Sequence, residues 1–291
     1  MTKTQTPRSR KQQQPSASGE PATPAAPVFA RILCAVDGTH TSTAAVKTAA
    51  ALAGPDGHLT LLAVTAVSGS GAYAAAAIAP GRAELVLANA RRIANRAGVS
   101  ASTVVDPGRP PADVILRRAA GYDLFAIGAP ATSWLGDALL GGVATVALSH
   151  FTTPMLVVRR SSAGPLRGRR VLVASDGDEG SDRIVQLAGR LGQSQGAQVT
   201  LVNALGPESR MSPHAIAAQQ RALQRILPDA PEPRIAPGKP WDVILEAAQD
   251  TDAALVVIGS RRVSGLRALG SVSRRVVHDA PCSVLVVPPG R

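Results

Sequence analysis

The sequence predicts an α/β protein made of two tandem, doubly wound, five-stranded parallel-sheet domains of the Rossmann-like type. Short apolar runs alternate with helical segments along most of the chain, which is the pattern of strand–helix–strand crossovers. The same landmarks recur in the same order in each half of the sequence, which indicates an internal repeat. A length of 291 residues suits two domains of ordinary size.

Strands and helices can be assigned in order through the first half. Each predicted strand is a short run of Val, Ile, Leu or Ala that stops at a turn signal, as buried strands do. The predicted helices begin at hydroxyl residues or proline, which suit a helix N-terminus. The predicted strands cover residues 32–36, 59–67, 102–105, 124–127 and 155–158, and the predicted helices cover residues 39–53, 83–97, 111–120 and 142–149.

The second half repeats the landmarks of the first. A strand that ends in Asp37-Gly38 matches one that ends in Asp176-Gly177, and later strands match in the same order. The sequence therefore predicts two equivalent units that fold independently, each with its ligand cleft at the same strand tips. The predicted divisions are a disordered basic tail (1–27), a first domain (28–160), a Gly/Pro/Ser linker (161–168) and a second domain (169–291).

Composition narrows the classes of function. The net charge of +11 favours polyanionic partners, but aromatic residues make up only 2% of the chain, which argues against base-stacking nucleic-acid readers. We interpret the arginines around the linker as solvated surface charge. The sequence shows no membrane-spanning run and no secretory signal, and its two cysteines, Cys34 and Cys282, lie in apolar strand-like runs. We expect a cytoplasmic protein without membrane contact.

The ends of the first and fourth strands of each repeat are the candidate ligand sites. In an open parallel sheet, ligands bind beyond the carboxyl ends of the strands, where the strand order reverses. The first repeat places Asp37 and Gly128 there, and the second repeat places Asp176 and Gly259 there.

A glycine- and arginine-rich run follows the fourth strand of the second repeat. Gly259 is followed by Arg261 and Arg262, and Gly270-Ser271 then leads into a predicted helix. Glycines allow backbone N–H groups to approach phosphate oxygens, and a helix N-terminus attracts anions. The run therefore predicts a phosphate cradle.

This run resembles the signature of the universal stress protein family, as do the Asp-Gly strand ends and the closing strand at residues 280–287. ATP-binding members of that family carry a motif that begins with a glycine, any two residues and a second glycine. Nine further residues then lead to a glycine that is followed by Ser or Thr. In the second repeat, Arg262 replaces the middle glycine, and only seven residues separate it from Gly270.

The first repeat departs from the family pattern in a different way. Gly128 and Gly141 keep the family spacing, but Ala131 replaces the middle glycine, and Gly142 stands where Ser or Thr belongs. If the middle position needs a positive φ, a side chain there costs about 1–2 kcal/mol.

The resemblance implies a fold of the adenine nucleotide alpha hydrolase type and a stress-response regulatory protein. It implies that ATP or AMP, with Mg²⁺, binds in at least one repeat without efficient turnover; slow ATP hydrolysis stays open. Asp37 and Asp176 would lie near the adenosine, or would simply form turns. Val64 and Val202 would contact the base, or would simply be core. The last strands, around Val157 and Val286, would pair within the chain as a pseudo-dimer, and two chains could form a homodimer.

The sequence raises three other functions. Degenerate motifs favour a ligand-free interaction module, and the charge and tail favour a polyanion- or nucleic-acid-associated protein. An adenylyl-transferring enzyme needs a pyrophosphate loop after the first strand, which the Asp-Gly turns do not supply. The five histidines do not cluster, no side chain is placed as a catalytic base, and we expect no enzyme activity.

Overall fold

The computed structural model describes residues 27–65, 78–107, 110–129, 146–147, 150–206, 212–260 and 270–289. The expected tail, and most of the helix predicted over residues 142–149, lie outside these ranges. The first repeat contains β1 (Arg31–Ala35), α1 (His40–Ala53), β2 (His58–Thr65), α2 (Pro80–Arg96), β3 (Ser100–Pro107), α3 (Pro111–Ala119), β4 (Leu124–Gly128) and β5 (Met155–Val158). The second contains β6 (Arg170–Ser175), α4 (Glu179–Gln195), β7 (Gln198–Leu205), α5 (Pro213–Ile226), β8 (Arg234–Pro237), α6 (Pro240–Asp250), β9 (Leu255–Gly259), α7 (Ser271–Asp279) and β10 (Ser283–Val287).

Both repeats have the same strand order. The sheet runs β3-β2-β1-β4-β5-β10-β9-β6-β7-β8, and within each repeat neighbouring strands are parallel. Each repeat is thus a five-stranded parallel unit in the order third, second, first, fourth, fifth. The predicted α/β class and the doubly wound parallel order are confirmed.

The two units share one sheet, because their last strands pair. β5 and β10 are antiparallel, with Leu156 opposite Leu285 and Val157 opposite Val284. The expectation of two independently formed units is wrong at this seam, since hydrogen bonding is continuous across ten strands. The antiparallel join reverses strand direction, so the carboxyl ends of the two repeats' strands lie at opposite edges of the sheet.

Helices cover both faces of the sheet and bury its apolar side chains. Along β1, Ile32 and Cys34 pack in the core beneath α1, α2, α4 and α5, whereas Leu33 packs in the core beneath α3, α6 and α7. Alternate strand residues point to opposite faces, so strands covered on both faces read as continuous apolar runs. None of the helices in the described ranges is long and apolar enough to cross a membrane.

The segment between the repeats is packed into the protein. It opens with a 3₁₀ turn, Arg160–Ser162, and both Ser162 and Leu166 are buried. The Ser162 hydroxyl accepts from the backbone N–H of Ser283 at 2.7 Å, and the Thr48 hydroxyl accepts from the N–H of Gly164 at 2.9 Å. This segment therefore touches α1 of the first repeat and β10 of the second.

Candidate functional sites at the strand tips

The strand order creates a switch point in each repeat. In the first repeat, β1 pairs with β2 on one side and β4 on the other, and the chain crosses over between these two sides. Asp37 follows β1 and Gly128 ends β4, so they flank this switch point. Asp176 and Gly259 flank the equivalent point between β6 and β9. All four residues therefore lie where a ligand cleft forms in such folds.

Asp37 organises the turn that leads into α1. Its Oδ1 accepts from the backbone N–H of Thr39 at 2.9 Å and from the Thr39 hydroxyl at 2.6 Å. The Thr39 side chain in turn caps α1 by accepting from the N–H of Ser42. Asp37 is exposed, and among the described residues its Oδ2 accepts no hydrogen bond. The turn-forming role is thus present, and one carboxylate oxygen faces outward.

Gly128 allows β4 and the start of α1 to approach closely. A Cβ built at this position would lie 2.3 Å from the carbonyl carbon and oxygen of Thr41, and 2.7 Å from the N of Ser42. These atoms are backbone and cannot move aside as a side chain can. The glycine is therefore needed for strand–helix packing, whatever it does for a ligand.

Asp176 occupies the equivalent turn in the second repeat. Its Oδ1 accepts from the Ser181 hydroxyl at 2.7 Å and from the N–H of Asp178 at 3.2 Å. The Asp178 side chain caps α4 by accepting from the N–H of Ser181. Both repeats therefore use the aspartate to set the first turn of the following helix.

The first turn of α7 rests on the tip of β9. The Ser273 hydroxyl donates to the carbonyl of Gly259 at 3.1 Å. Gly270 precedes the helix with φ −58° and ψ 154°, and it has no side chain to cap the helix. The first turn contains no acidic residue, and the first intrahelical bond is donated by the N–H of Arg274 to Gly270. The N–H groups at Ser271 and beyond therefore face the switch point without a capping side chain.

A buried polar cluster beside this site was not predicted. The Ser175 hydroxyl donates to Oε1 of Gln219 at 2.6 Å, and Nδ2 of Asn203 donates to the carbonyl of Ser175 at 3.1 Å. Asn203 is fully buried, and its Oδ1 has no partner among the described residues. The equivalent positions of the first repeat, by strand and helix register, are apolar: Val36, Ala63 and Val86. Asn203 is a polar residue within the apolar run VTLVNAL (199–205), and this pattern could have predicted the cluster.

The two valines considered as base contacts lie in the core. Val64 is 5% exposed and Val202 is 1% exposed, both on the face that carries α3, α6 and α7. They do not occupy equivalent positions, since the register places Val202 opposite Ala174 and Leu62 opposite Ala35. The burial of both side chains fits a core role.

The remaining predicted phosphate-loop residues lie outside the described part of the chain: Ala131, Gly141, Gly142, Arg261 and Arg262.

The cysteines are buried and their thiols are hard to ionise. Burial raises the pKa of the Cys34 thiol far above its usual range, and the charge of Asp37 acts in the same direction. Burial raises the pKa of Cys282 to about 12, against an opposing effect of Arg159. Within the described ranges, no group of three His, Cys, Asp or Glu side chains is placed to hold a metal ion.

Arg159 is buried, which corrects the expectation that the arginines near the linker are surface charge. The residue is 3% exposed, and Nη2 donates to the carbonyls of Val277 and His278 at 2.7 and 2.8 Å. Burial lowers the pKa of its guanidinium, while Cys282 and Asp279 act in the opposite direction.

An apolar groove lies at the outer edge of the second repeat. It has a volume of about 460 Å³ and runs between α5 and the edge strand β8, with Leu205, Ile216 and Ile235 among its walls. The groove is separated from the switch point by β7, so it is not the site that the strand order defines.

The repeated strand order, the helices on both faces and the paired switch points define a tandem, doubly wound α/β protein. The chain belongs to the universal stress protein family, whose model matches residues 29–159 and again residues 168–288. The match to both halves agrees with the internal repeat.

Single-domain relatives match one repeat's length of this chain. A universal stress protein of Thermus aquaticus, described as lying in a QAH/OAS sulfhydrylase 3' region, is 32% identical over an alignment of 134 residues. The alignment covers 41% of this chain and 98% of that protein. The universal stress protein Sll1388 of Synechocystis is 30% identical over an alignment of 148 residues, which covers 40% of this chain and 96% of that protein. A solved universal stress protein from Archaeoglobus fulgidus has the same fold throughout, with a TM-score of 0.72, 20% identity, and coverage of 89% of this chain and 98% of its own.

Proposed function

We propose that this chain is a stress-response regulatory protein that binds an adenine nucleotide, ATP or AMP, in at least its second repeat, without efficient turnover. The observation that carries the proposal is the helix N-terminus at the second switch point. Gly270 leaves the first turn of α7 without a side-chain cap, and the Ser273–Gly259 hydrogen bond holds that turn beside the strand tip. Unpaired N–H groups and the helix dipole favour an anion there.

The contrast with other helices supports this assignment. α1, α4 and α5 begin with capping side chains from Thr39, Asp178 and Ser212, each of which accepts from a first-turn N–H. α2, α3 and α6 also begin without a side-chain cap, so α7 is distinguished by an uncapped start that lies at the switch point. There an external phosphate would supply the acceptor that Thr39, Asp178 and Ser212 supply to their own helices.

The residues present fit a nucleotide at this point. Ser271 has a hydroxyl and a backbone N–H that would bind a phosphate, and Asp176, which follows the neighbouring strand β6, would face the ribose. Bound Mg²⁺ would neutralise phosphate charge and would be held by phosphate oxygens and water, as is usual for this ion.

Equilibrium dialysis of the full chain against ATP, AMP and adenosine tests the proposal. The decisive variant is Ser271→Pro, since proline suits the first helical position and the extended backbone of Gly270 accommodates a following proline. The variant removes one N–H and one hydroxyl from the site, and Ser271→Ala, which removes only the hydroxyl, is the matched control.

We expect Ser271→Pro to weaken ATP binding about tenfold, because a hydrogen bond to a charged group is worth about 1.5–3 kcal/mol. Adenosine affinity and the unfolding midpoint should stay unchanged. If the wild-type chain binds no nucleotide at millimolar concentration, the proposal fails, and the ligand-free interaction module becomes the better account.

A further inference from the structure

A residue of the first repeat contacts the helix that forms the second repeat's candidate site. Arg159 directly follows β5, and it lies in the first of the two segments that match the family. Its guanidinium crosses the seam and donates to the carbonyls of Val277 and His278 in the last turn of α7. The last carbonyls of a helix have no partner within the helix, so these hydrogen bonds satisfy groups that otherwise need water or a cap.

The contact places a buried cation against the end of a helix. A cation at a helix C-terminus is favoured by the helix dipole, and this one is buried, where screening by water is weak. The planar guanidinium places one nitrogen between two successive carbonyls, at 2.7 and 2.8 Å. The backbone N–H of Arg159 also donates to the Ser283 hydroxyl at 3.1 Å, which fixes the start of the side chain on β10. A lysine would keep the charge and lose the planar guanidinium.

Fixing one end of α7 fixes the other. The helix has nine residues, a rod of about 13 Å. Val276 and Val277 are fully buried along it, and Ser273 bonds the tip of β9 at the opposite end. A shift of the C-terminal turn would therefore move the N-terminal turn relative to Gly259.

The contact between Arg159 and α7 has no symmetric equivalent at Pro288. The register of the paired last strands makes Pro288 the counterpart of Arg159, since each follows the last residue of its strand. Proline has no side-chain donor and cannot make the reciprocal contact. Pro288 therefore cannot brace the first repeat as Arg159 braces the second.

We infer that Arg159 is a positioning residue for the second repeat's site: it holds α7 so that the first-turn N–H groups meet the phosphates of a bound nucleotide. The inference rests on the proposed function and adds that phosphate affinity in the second repeat depends on the first repeat. Arg159 does not touch the nucleotide.

The test uses the full chain and two readouts. Arg159→Met removes the guanidinium with little change of volume, and Arg159→Lys keeps the charge. Arg160→Met is the matched control, because Arg160 is the exposed neighbour. Without nucleotide, backbone amide hydrogen exchange across residues 271–279 should be faster in Arg159→Met than in wild type. In Arg160→Met it should equal that of wild type. Exchange in α3 should be unchanged in both variants.

The binding readout separates positioning from general damage. Arg159→Met should raise the ATP dissociation constant about tenfold, corresponding to loss of one charge-assisted contact at the phosphate. Adenosine affinity should not change, and Arg159→Lys should fall between. Equal losses for ATP and adenosine would mean a merely structural role and would overturn the inference.

Failure of the inference and failure of the proposed function give different results. Wild type that binds ATP, with Arg159→Met binding equally well, overturns the inference alone. Wild type that binds no nucleotide refutes the proposed function, and hydrogen exchange still decides whether Arg159 holds α7. Unchanged exchange over residues 271–279 overturns the inference in either case.

Discussion

Replacing the equivalent strand-tip glycines, Gly128 and Gly259, with alanine should have unequal costs. At Gly128 the new methyl group meets the backbone of Thr41 at 2.3 Å, while ordinary van der Waals contact begins at 3.4 Å. β4 and α1 would have to separate by about 1 Å in an interior that is close-packed. We expect Gly128→Ala to cost about 3 kcal/mol, the upper part of the range for overpacked cores.

At Gly259 the same methyl group meets a flexible side chain. Among the described residues the nearest atom is Cδ1 of Ile184, at 2.4 Å, and no backbone atom lies within 4 Å. A change of rotamer relieves the contact for about 0.5–1.5 kcal/mol. Valine lacks Cδ1, so Ile184→Val should remove much of the cost of Gly259→Ala in a double-mutant cycle.

Urea unfolding of the full chain, followed by circular dichroism, measures both costs. The expected result is a clearly lower midpoint for Gly128→Ala than for Gly259→Ala, with positive coupling between Gly259→Ala and Ile184→Val. Equal midpoints for the two glycine variants would refute the claim that Gly128 is required by contact with the backbone of α1.

Three further predictions follow from the buried groups. Ser162→Ala should lower the unfolding free energy by about 1–3 kcal/mol, because it leaves the buried N–H of Ser283 without its acceptor. A change below about 0.5 kcal/mol in urea unfolding is typical of surface sites, and it would mean that the segment between the repeats is only a spacer. Cys282 should resist a thiol reagent at pH 8 in the native state and react on unfolding, since a pKa of about 12 leaves about one thiol in 10⁴ ionised; rapid native labelling would contradict its burial. The free energy of unfolding should fall as pH rises from about 9 toward 12. The reason is that the Cys282 thiol of the unfolded chain, with its ordinary pKa of 9.0, loses its proton while the folded one keeps it. Urea unfolding midpoints across that pH range, compared with those of Cys282→Ala, test the direction of this change.

The repeat made most of the fold predictable. Landmarks such as the two Asp-Gly strand ends fix equivalent positions, and parallel strand order follows from alternating strands and helices. The switch-point positions of Asp37, Gly128, Asp176 and Gly259 followed from the same rule. The continuous sheet contradicted the expectation of independent units, although the expected pairing of the last strands produces that continuity.

The contacts across the seam could not be predicted from sequence. Arg159 belongs to a run of basic residues, and a basic run is usually solvated, so only its place after β5 reveals that it crosses to α7. Ser162 and Ser283 are 121 residues apart, and their contact depends on the pairing of β5 with β10. By contrast, Asn203 interrupts an apolar strand, a pattern that points to a buried polar contact.

The most direct test of the central claim is a crystal structure of the full chain grown with ATP and Mg²⁺. The account predicts electron density for phosphates against the first turn of α7, beside Gly270 and Ser271, with the nucleoside extending toward Asp176. Nucleotide bound away from the β6–β9 switch point, or no nucleotide at saturating concentration, would contradict it.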